Sequence, residues 1–127
     1  METGEIFFWN TDKVQGRDTR RKYHIFICGS DWKEDRNTFL FISSNNYFND
    51  FQINQKDWAV MPKTDSFISC VSPVFYYDSD LKRYEITRTG SLTVQCMRRL
   101  ALHIQDSDSM ERRHISRVVA ALHAACK

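Results

Sequence analysis

The chain has 127 residues, of which 42% are hydrophobic and 27% are charged, and its formal net charge is +2. This length allows one domain with a hydrophobic core and is too short for two, so we expect a single domain over residues 1–127. The composition is ordinary for a globular protein and argues against extensive disorder. The small net charge does not by itself indicate a nucleic-acid-binding protein.

The N-terminal sequence METGEIFFWN lacks the basic region and the apolar run of a secretory signal peptide. No apolar segment approaches the roughly 20 residues that span a bilayer. We therefore expect a cytoplasmic protein with no membrane partner. The four cysteines, Cys28, Cys70, Cys96 and Cys126, stand singly along the sequence. That spacing fits a reducing compartment and disfavours a zinc site, and we predict neither a metal nor a cofactor.

Short runs of β-branched and aromatic residues predict strands in the first part of the sequence. These runs are residues 5–9, 23–28, 38–43, 58–61 and 67–71. Polar turns such as GSDWKEDRN and SSNNYFND separate several of the runs. Short strands divided by polar turns are typical of a small β-barrel or a strongly bent sheet.

The last third of the sequence changes character. Residues 90–104 predict a strand or a short turn, followed by an alternation of apolar residues at 100, 102 and 104. Residues 106–127 predict a helix, with Asp108 and Glu111 at the spacing of a capping box. An apolar stripe at helical spacing supports this helix and consists of Ile115, Val118, Val119, Leu122 and Cys126. The predicted fold class is therefore mostly β, a small barrel with a C-terminal helix.

Positive charge is concentrated just before the second predicted strand. Arg17, Arg20, Arg21 and Lys22 lie close together there, and only Asp18 opposes them. Such a cluster suits the binding of phosphate groups, since arginine makes bidentate contacts with phosphate oxygens. Considered alone, the same cluster is also compatible with an ordinary solvated turn.

Four stretches occur in an order similar to that of a known family. GEIFFWN at 4–10, GRDTRRKYHIFIC at 16–28, MPKTDS at 61–66 and GSLTVQCMRRLALH at 90–103 resemble the PemK/MazF-like toxins. These toxins are the ribonuclease components of bacterial toxin–antitoxin pairs. The resemblance implies an SH3-like β-barrel and a metal-independent endoribonuclease toxin that cleaves single-stranded RNA such as mRNA. It also implies a homodimer and a cognate antitoxin protein whose acidic or amphipathic tail occupies the RNA groove.

The sequence departs from that family's pattern at two places. Family members usually carry Arg-Pro before the second strand, where this sequence has Lys22-Tyr23. Some members carry Arg-Cys-Asp in a later strand, where this sequence has Thr93-Val94-Gln95. The role of the catalytic arginine then falls to Lys22 or to one of Arg20 and Arg21.

RNA cleavage by attack of a ribose 2′-hydroxyl needs a base, an acid and donors to the phosphorane oxygens. For these catalytic roles the sequence offers Arg20, Arg21, Lys22, His24, Thr64, Asp65 and Ser66. The three cations and the two hydroxyls are donors, and Asp65 or His24 is the proton shuttle. Two alternatives stay open, because His24 can simply face solvent and Thr-Asp-Ser is common turn chemistry.

Binding of single-stranded RNA also uses aromatic rings that stack on bases. We expect RNA contacts from Arg17, Trp32, Tyr47, Gln95 and Arg98. A different class of function is the alternative for a barrel of this shape. The protein is then a non-catalytic module that binds nucleic acid or protein. A third option is an interaction protein whose helix presents Arg112, Arg113 and Arg117 to an acidic partner.

Overall fold

A computed structural model of the chain describes residues 1–13, 20–47, 49–62 and 66–127. Within them, seven strands and three helices follow one another along the sequence. In chain order they are β1 (Glu5–Thr11), β2 (Arg20–Cys28), β3 (Asn37–Ser43), β4 (Phe51–Ile53), β5 (Ser66–Ile68), β6 (Val74–Tyr76), α1 (Asp78–Leu81), β7 (Thr87–Ser91), α2 (Val94–Gln105) and α3 (Arg112–Ala125).

All seven strands belong to one curled antiparallel sheet. Its strand order is β4-β5-β3-β2-β1-β7, and β6 pairs with β3 outside this path. Two irregularities of register bend the sheet, one in β1 between Ile6 and Phe7 and one in β2 between Phe26 and Cys28. The long central strands β1, β2 and β3 therefore form the frame on which the short strands and the helices are placed.

Each face of the central sheet packs against a different cover. Alternate side chains of a strand point to opposite faces. One face, with Ile6, Ile25 and Leu40, packs against α2 and α3, and we call it the helix face. The opposite face, with Phe7, Phe26, Phe39 and Tyr76, packs against the segment that follows β6, and we call it the aromatic face. Both faces are buried, so successive residues of the central strands are apolar whichever face they point to. The sequences of these strands are therefore nearly continuous apolar runs.

The segment after β4 joins the two ends of the sheet. The indole Nε1 of Trp58 donates to Thr89 O in β7 at 2.9 Å, and Thr93 N donates to Asp57 O at 3.0 Å. Asp57 also accepts from Asn54 N at 3.1 Å and forms an ion pair with Arg99. The sheet is thus closed by a loop anchored with a buried tryptophan and a buried carboxylate, and not by pairing of its edge strands.

The strand predictions were confirmed for the central strands. Residues 5–9, 23–28 and 38–43 lie in β1, β2 and β3, and the predicted strand 67–71 overlaps the shorter β5. The predicted strand at 58–61 was wrong, because Trp58 there turns inward to fill the core under a series of tight turns. Sequence patterns missed β4, β6 and β7, which are too short or too polar to give an apolar alternation.

The C-terminal part contains two long helices where one was predicted. Helix α3 and its buried residues Ile115, Val118 and Leu122 confirm the predicted stripe. The predicted cap at Asp108 was wrong, because α3 begins after Glu111, which makes no side-chain cap. The strand or turn predicted at 90–104 was also largely wrong. Thr93 accepts from Cys96 N at 3.1 Å and starts α2, whose buried residues recur at helical spacing.

Several chain-wide properties bear on function. All four cysteines are free thiols, and burial raises the pKa of Cys70 and of Cys96 to about 12. Within the described ranges, no cluster of three histidine, cysteine or acidic side chains has the arrangement of a metal site. None of the helices in those ranges is long and apolar enough to cross a membrane.

Candidate functional site

The start of β2 lines a pocket of about 230 Å³ at one end of the sheet. Five of the residues singled out in the sequence meet there, namely Arg20, Arg21, Lys22, Tyr47 and Ser66. The pocket is small compared with the sites that enclose drug-sized ligands. It therefore has room for a single group, such as one base or one phosphate, from a larger ligand.

Backbone pairing fixes where the cations of β2 stand. Arg20 lies opposite Thr11 of β1, Arg21 lies opposite Asn10, and Lys22 lies opposite Trp9. Arg20 and Arg21 are exposed, whereas Lys22 is half-buried with its Nζ 5.6 Å from the centre of the Phe41 ring. Because the three cations sit on a paired strand, their Cα positions are held more firmly than those of cations in a loop.

Aromatic and apolar side chains form the inner part of the pocket. Phe8 and Tyr23 face each other across β1 and β2, with ring centres 4.3 Å apart. Tyr23 in turn packs edge-on against Trp58, with ring centres 5.1 Å apart. Ile42 and Pro62 complete the apolar lining. The pocket is thus anchored on the core, and its shape depends on the same tryptophan that closes the sheet.

Tyr47 stands at the pocket rim on an ordered turn after β3. Its backbone N–H donates to Asp50 Oδ2 at 3.1 Å, and its phenol accepts from Asn45 Nδ2 at 3.2 Å. Asp50 is buried and also accepts from Cys70 N at 3.1 Å, so the turn is tied to the interior. With 62% of its surface exposed, the Tyr47 ring is available to stack on a base.

The charge of the pocket favours an anionic ligand. Among the described residues that line it, three are cations and none is a carboxylate, and of the three Lys22 turns its Nζ toward Phe41 on the aromatic face. The polar remainder consists of hydroxyl and amide groups from Ser43, Ser44, Asn45 and Ser66, together with two tyrosines. Guanidinium groups beside hydroxyl donors and aromatic rings are the groups that bind phosphates and unpaired bases.

His24 does not lie in this pocket. It is fully buried on the aromatic face, where its ring is stacked on Trp9 with centres 3.5 Å apart. Its Nδ1 is 3.0 Å from Lys22 O and its Nε2 is 2.8 Å from the Tyr76 hydroxyl. Burial lowers its pKa from 6.5 to about 3, so the ring is neutral near pH 7. The prediction that His24 can face solvent was wrong, because the side chains of Trp9 and Tyr76 cover its ring.

The remaining candidates divide into three groups. Arg17, Thr64 and Asp65 lie outside the described residues. Ser66 begins β5 and is only 5% exposed, so its side chain is at the inner part of the pocket. Gln95 lies in the first turn of α2 and not in a strand, and Arg98 in the same helix donates to Cys126 O at 3.2 Å.

Trp32 is far from the pocket. It lies in the turn that follows β2, whereas the pocket lies at the beginning of this nine-residue strand, which is about 26 Å long at the usual rise per residue. Trp32 is 88% exposed, with Lys33 Nζ 4.9 Å from its ring centre. The turn also carries Asp31, Glu34 and Asp35, which oppose the approach of phosphates.

Sequence reasoning missed the pocket residues that come from other strands. Phe8 and Ile42 are each opposite Tyr23, one in β1 and one in β3. Ser44 and Asn45 belong to the polar turn SSNNYFND, which was interpreted only as a separator of strands. Strand register would have identified them, but register is set by pairing that the sequence alone did not reveal.

Comparisons with known proteins identify no family for this chain. A scan of the sequence against protein-family models finds no match, and a search of curated proteins finds none. The fold and the site therefore define the class of protein on their own. It is a curled antiparallel sheet with two C-terminal helices and a cationic, aromatic pocket at the start of its central strand.

Proposed function

We propose that the protein binds single-stranded RNA in the pocket at the start of β2 and cleaves it without a metal ion. The observation that carries this proposal is that Arg20 and Arg21, both exposed, line one pocket together with the exposed ring of Tyr47. Cations beside an exposed aromatic ring match the two surfaces of a single strand, its phosphates and its bases. In a duplex the bases are stacked inside the helix, so their faces are not available to the Tyr47 ring.

In this proposal a base stacks on Tyr47 while Arg20 and Arg21 donate to the adjacent phosphate. The ribose 2′-hydroxyl attacks the phosphorus, the bond to the 5′-oxygen breaks, and the products carry a cyclic phosphate and a 5′-hydroxyl. Donors placed on the phosphorane oxygens supply a large share of such catalysis. Of the two proton shuttles considered, His24 is buried and neutral, which leaves Asp65 as the candidate.

The wider biological proposal rests on the resemblance of the sequence to PemK/MazF-like toxins. A curled antiparallel sheet with C-terminal helices is compatible with the SH3-like barrel of that family. On this basis the protein is a cytoplasmic endoribonuclease toxin that acts as a homodimer. Its partner is a cognate antitoxin whose acidic tail competes with RNA phosphates for Arg20 and Arg21.

A non-catalytic module that binds RNA is the second candidate function. It is favoured by the burial of His24, since the described part of the pocket then holds neither a histidine nor a carboxylate. Under this alternative the same cations and the same ring bind RNA, and the strand is released uncut.

Incubation of the purified protein with a long RNA of mixed sequence in EDTA separates the two functions. Discrete cuts with 5′-hydroxyl ends support the nuclease, and they should disappear in the triple variant Arg20→Ala, Arg21→Ala, Lys22→Ala. The matched control removes three exposed cations elsewhere, as Lys82→Ala, Arg112→Ala, Arg113→Ala, and should cut normally. RNA that is bound but left intact supports the module.

RNA that is neither bound nor cut by folded protein refutes both functions. Growth of a bacterial host provides an independent test of the toxin. Induced expression of the wild-type protein should arrest growth, and the triple pocket variant should not.

A further inference from the structure

We propose that three buried side chains, Thr11, His24 and Tyr76, act together to position the cations of the pocket. We call them the polar network. This inference rests on the proposed function for its RNA readout, although its structural readout stands independently. In it, His24 is a positioning residue, and it contacts no substrate.

The hydrogen bonds of the polar network have only one consistent direction. Lys22 O can only accept, so the 3.0 Å contact with His24 Nδ1 requires that this nitrogen carries the ring proton. In the neutral ring Nε2 is then an acceptor, and the Tyr76 hydroxyl must donate to it at 2.8 Å. The Tyr76 oxygen in turn accepts from the Thr11 hydroxyl at 2.7 Å, and Thr11 Oγ1 accepts from Lys13 N at 3.2 Å.

The two ends of this series are the backbone N–H of Lys13 and the backbone carbonyl of Lys22, and Lys22 belongs to the cation cluster. Lys13 follows β1, and Lys22 lies near the start of β2, so the series links the end of one strand to the beginning of the next. Thr11 is also the direct pairing partner of Arg20. Four hydrogen bonds therefore connect Lys13 N to Lys22 O, next to the backbone positions from which Arg20 and Arg21 project.

The surroundings make the network rigid. Thr11, His24 and Tyr76 are each 0% exposed, so water does not compete for their hydrogen bonds. Trp9 is stacked parallel to the His24 ring, with an angle of 7° between the planes, and this fixes the ring orientation. A hydroxyl that loses its partner here has no substitute, which makes the network sensitive to the removal of a single atom.

The central test compares Thr11→Val, which removes only the hydroxyl, with Thr11→Ser, which keeps it. Binding is measured with a short 2′-O-methyl RNA oligonucleotide, which cannot be cut by 2′-hydroxyl attack. Both variants are compared at a temperature where they are fully folded. We expect Thr11→Val to lose RNA affinity roughly tenfold, which corresponds to the loss of one hydrogen bond between a pocket cation and a phosphate. The plot of log K against log salt has a negative slope, and its magnitude should decrease by about 0.7, the value of one phosphate contact on a single strand. Thr11→Ser should retain both.

Tyr76→Phe provides a second removal of one hydroxyl from the same network and should show the same two losses. A merely structural role would lower the melting temperature of these variants and leave the salt slope unchanged at full folding. Equal slopes and affinities in Thr11→Val, Tyr76→Phe and the wild type would overturn the proposal.

Nuclear magnetic resonance tests the network without RNA. Nitrogen chemical shifts should show His24 protonated at Nδ1 and not at Nε2, and Thr11→Val should accelerate amide hydrogen exchange at Lys13 and in residues 20–22. If the wild type binds no RNA while these signals are as expected, the proposed function fails and the positioning role stands. The opposite tautomer, or unchanged exchange, overturns the positioning role whatever the RNA result.

Discussion

The burial of His24 predicts a specific loss of stability in mild acid. Its folded-state pKa is about 3, against 6.5 for an ordinary histidine. Because the folded pKa is the lower one, the unfolded state takes up a proton first as the pH falls. The contribution of His24 to stability is therefore constant above about pH 6.5 and declines from about pH 6.5 to about pH 3, by about 1.4 kcal/mol per pH unit.

The difference of about 3.5 pKa units corresponds to a loss of about 5 kcal/mol once the pH is below 3, and to about 2 kcal/mol at pH 5. That loss is large compared with the typical stability of a domain. The variant His24→Gln removes the titration and keeps a side chain that can both donate and accept. All other groups titrate alike in the two proteins, so the difference between them isolates His24.

Urea unfolding at pH 7.5 and at pH 5.0 measures this difference. We expect the free energy of unfolding of the wild type to fall about 2 kcal/mol more than that of His24→Gln over this interval. His114, whose pKa is also lowered by burial, contributes equally to both proteins. Parallel pH dependences in wild type and variant would show that His24 is accessible to protons in the folded state, and would refute its burial.

Three further predictions follow from the site and from the closure of the sheet. Tyr47→Ala should weaken the binding of single-stranded RNA by roughly 1–3 kcal/mol, because it removes a stacking ring. Trp32→Ala should leave binding nearly unchanged. Fluorescence anisotropy measures both affinities, and equal losses in the two variants would contradict the location of the site. Gly90→Ala should destabilise the protein by roughly 1–3 kcal/mol in thermal unfolding, because φ is +124° and a Cβ would lie 2.9 Å from Trp58 Nε1. Asp57→Ala should cost roughly 1–3 kcal/mol in urea unfolding, because it removes the acceptor of Asn54 N and the ion pair with Arg99. An unchanged free energy of unfolding would show that the carboxylate does not anchor the loop.

The sequence was sufficient to predict the long strands and the last helix, since each carries a strong local pattern. β1, β2 and β3 are dense in β-branched and aromatic residues, and α3 has a regular apolar stripe. It was insufficient for α2, where Leu100, Leu102 and Ile104 suggest alternation although Leu102 is 63% exposed. The decisive signal there was the Thr93 cap, which is a single residue.

The candidate site was predictable in part for a similar reason. The cation cluster is local in sequence, and its position at the start of β2 was anticipated correctly. The role of His24 was not, because its environment depends on Tyr76, which is 52 residues away and reaches it only through the pairing of β6 with β3. Contacts of this kind follow from tertiary pairing and leave no pattern around the histidine itself.

The double covering of the central sheet has a consequence for how any ligand can reach the protein. Within residues 1–13, 20–47, 49–62 and 66–127, helices cover one face of β1, β2 and β3 and an aromatic cluster covers the other. The pocket described above accordingly lies at a strand terminus, where the side chains of β2 extend beyond both covers. Substitutions at such termini can alter recognition while both cores stay intact, so this scaffold is suited to acquire new ligand preferences at low cost in stability.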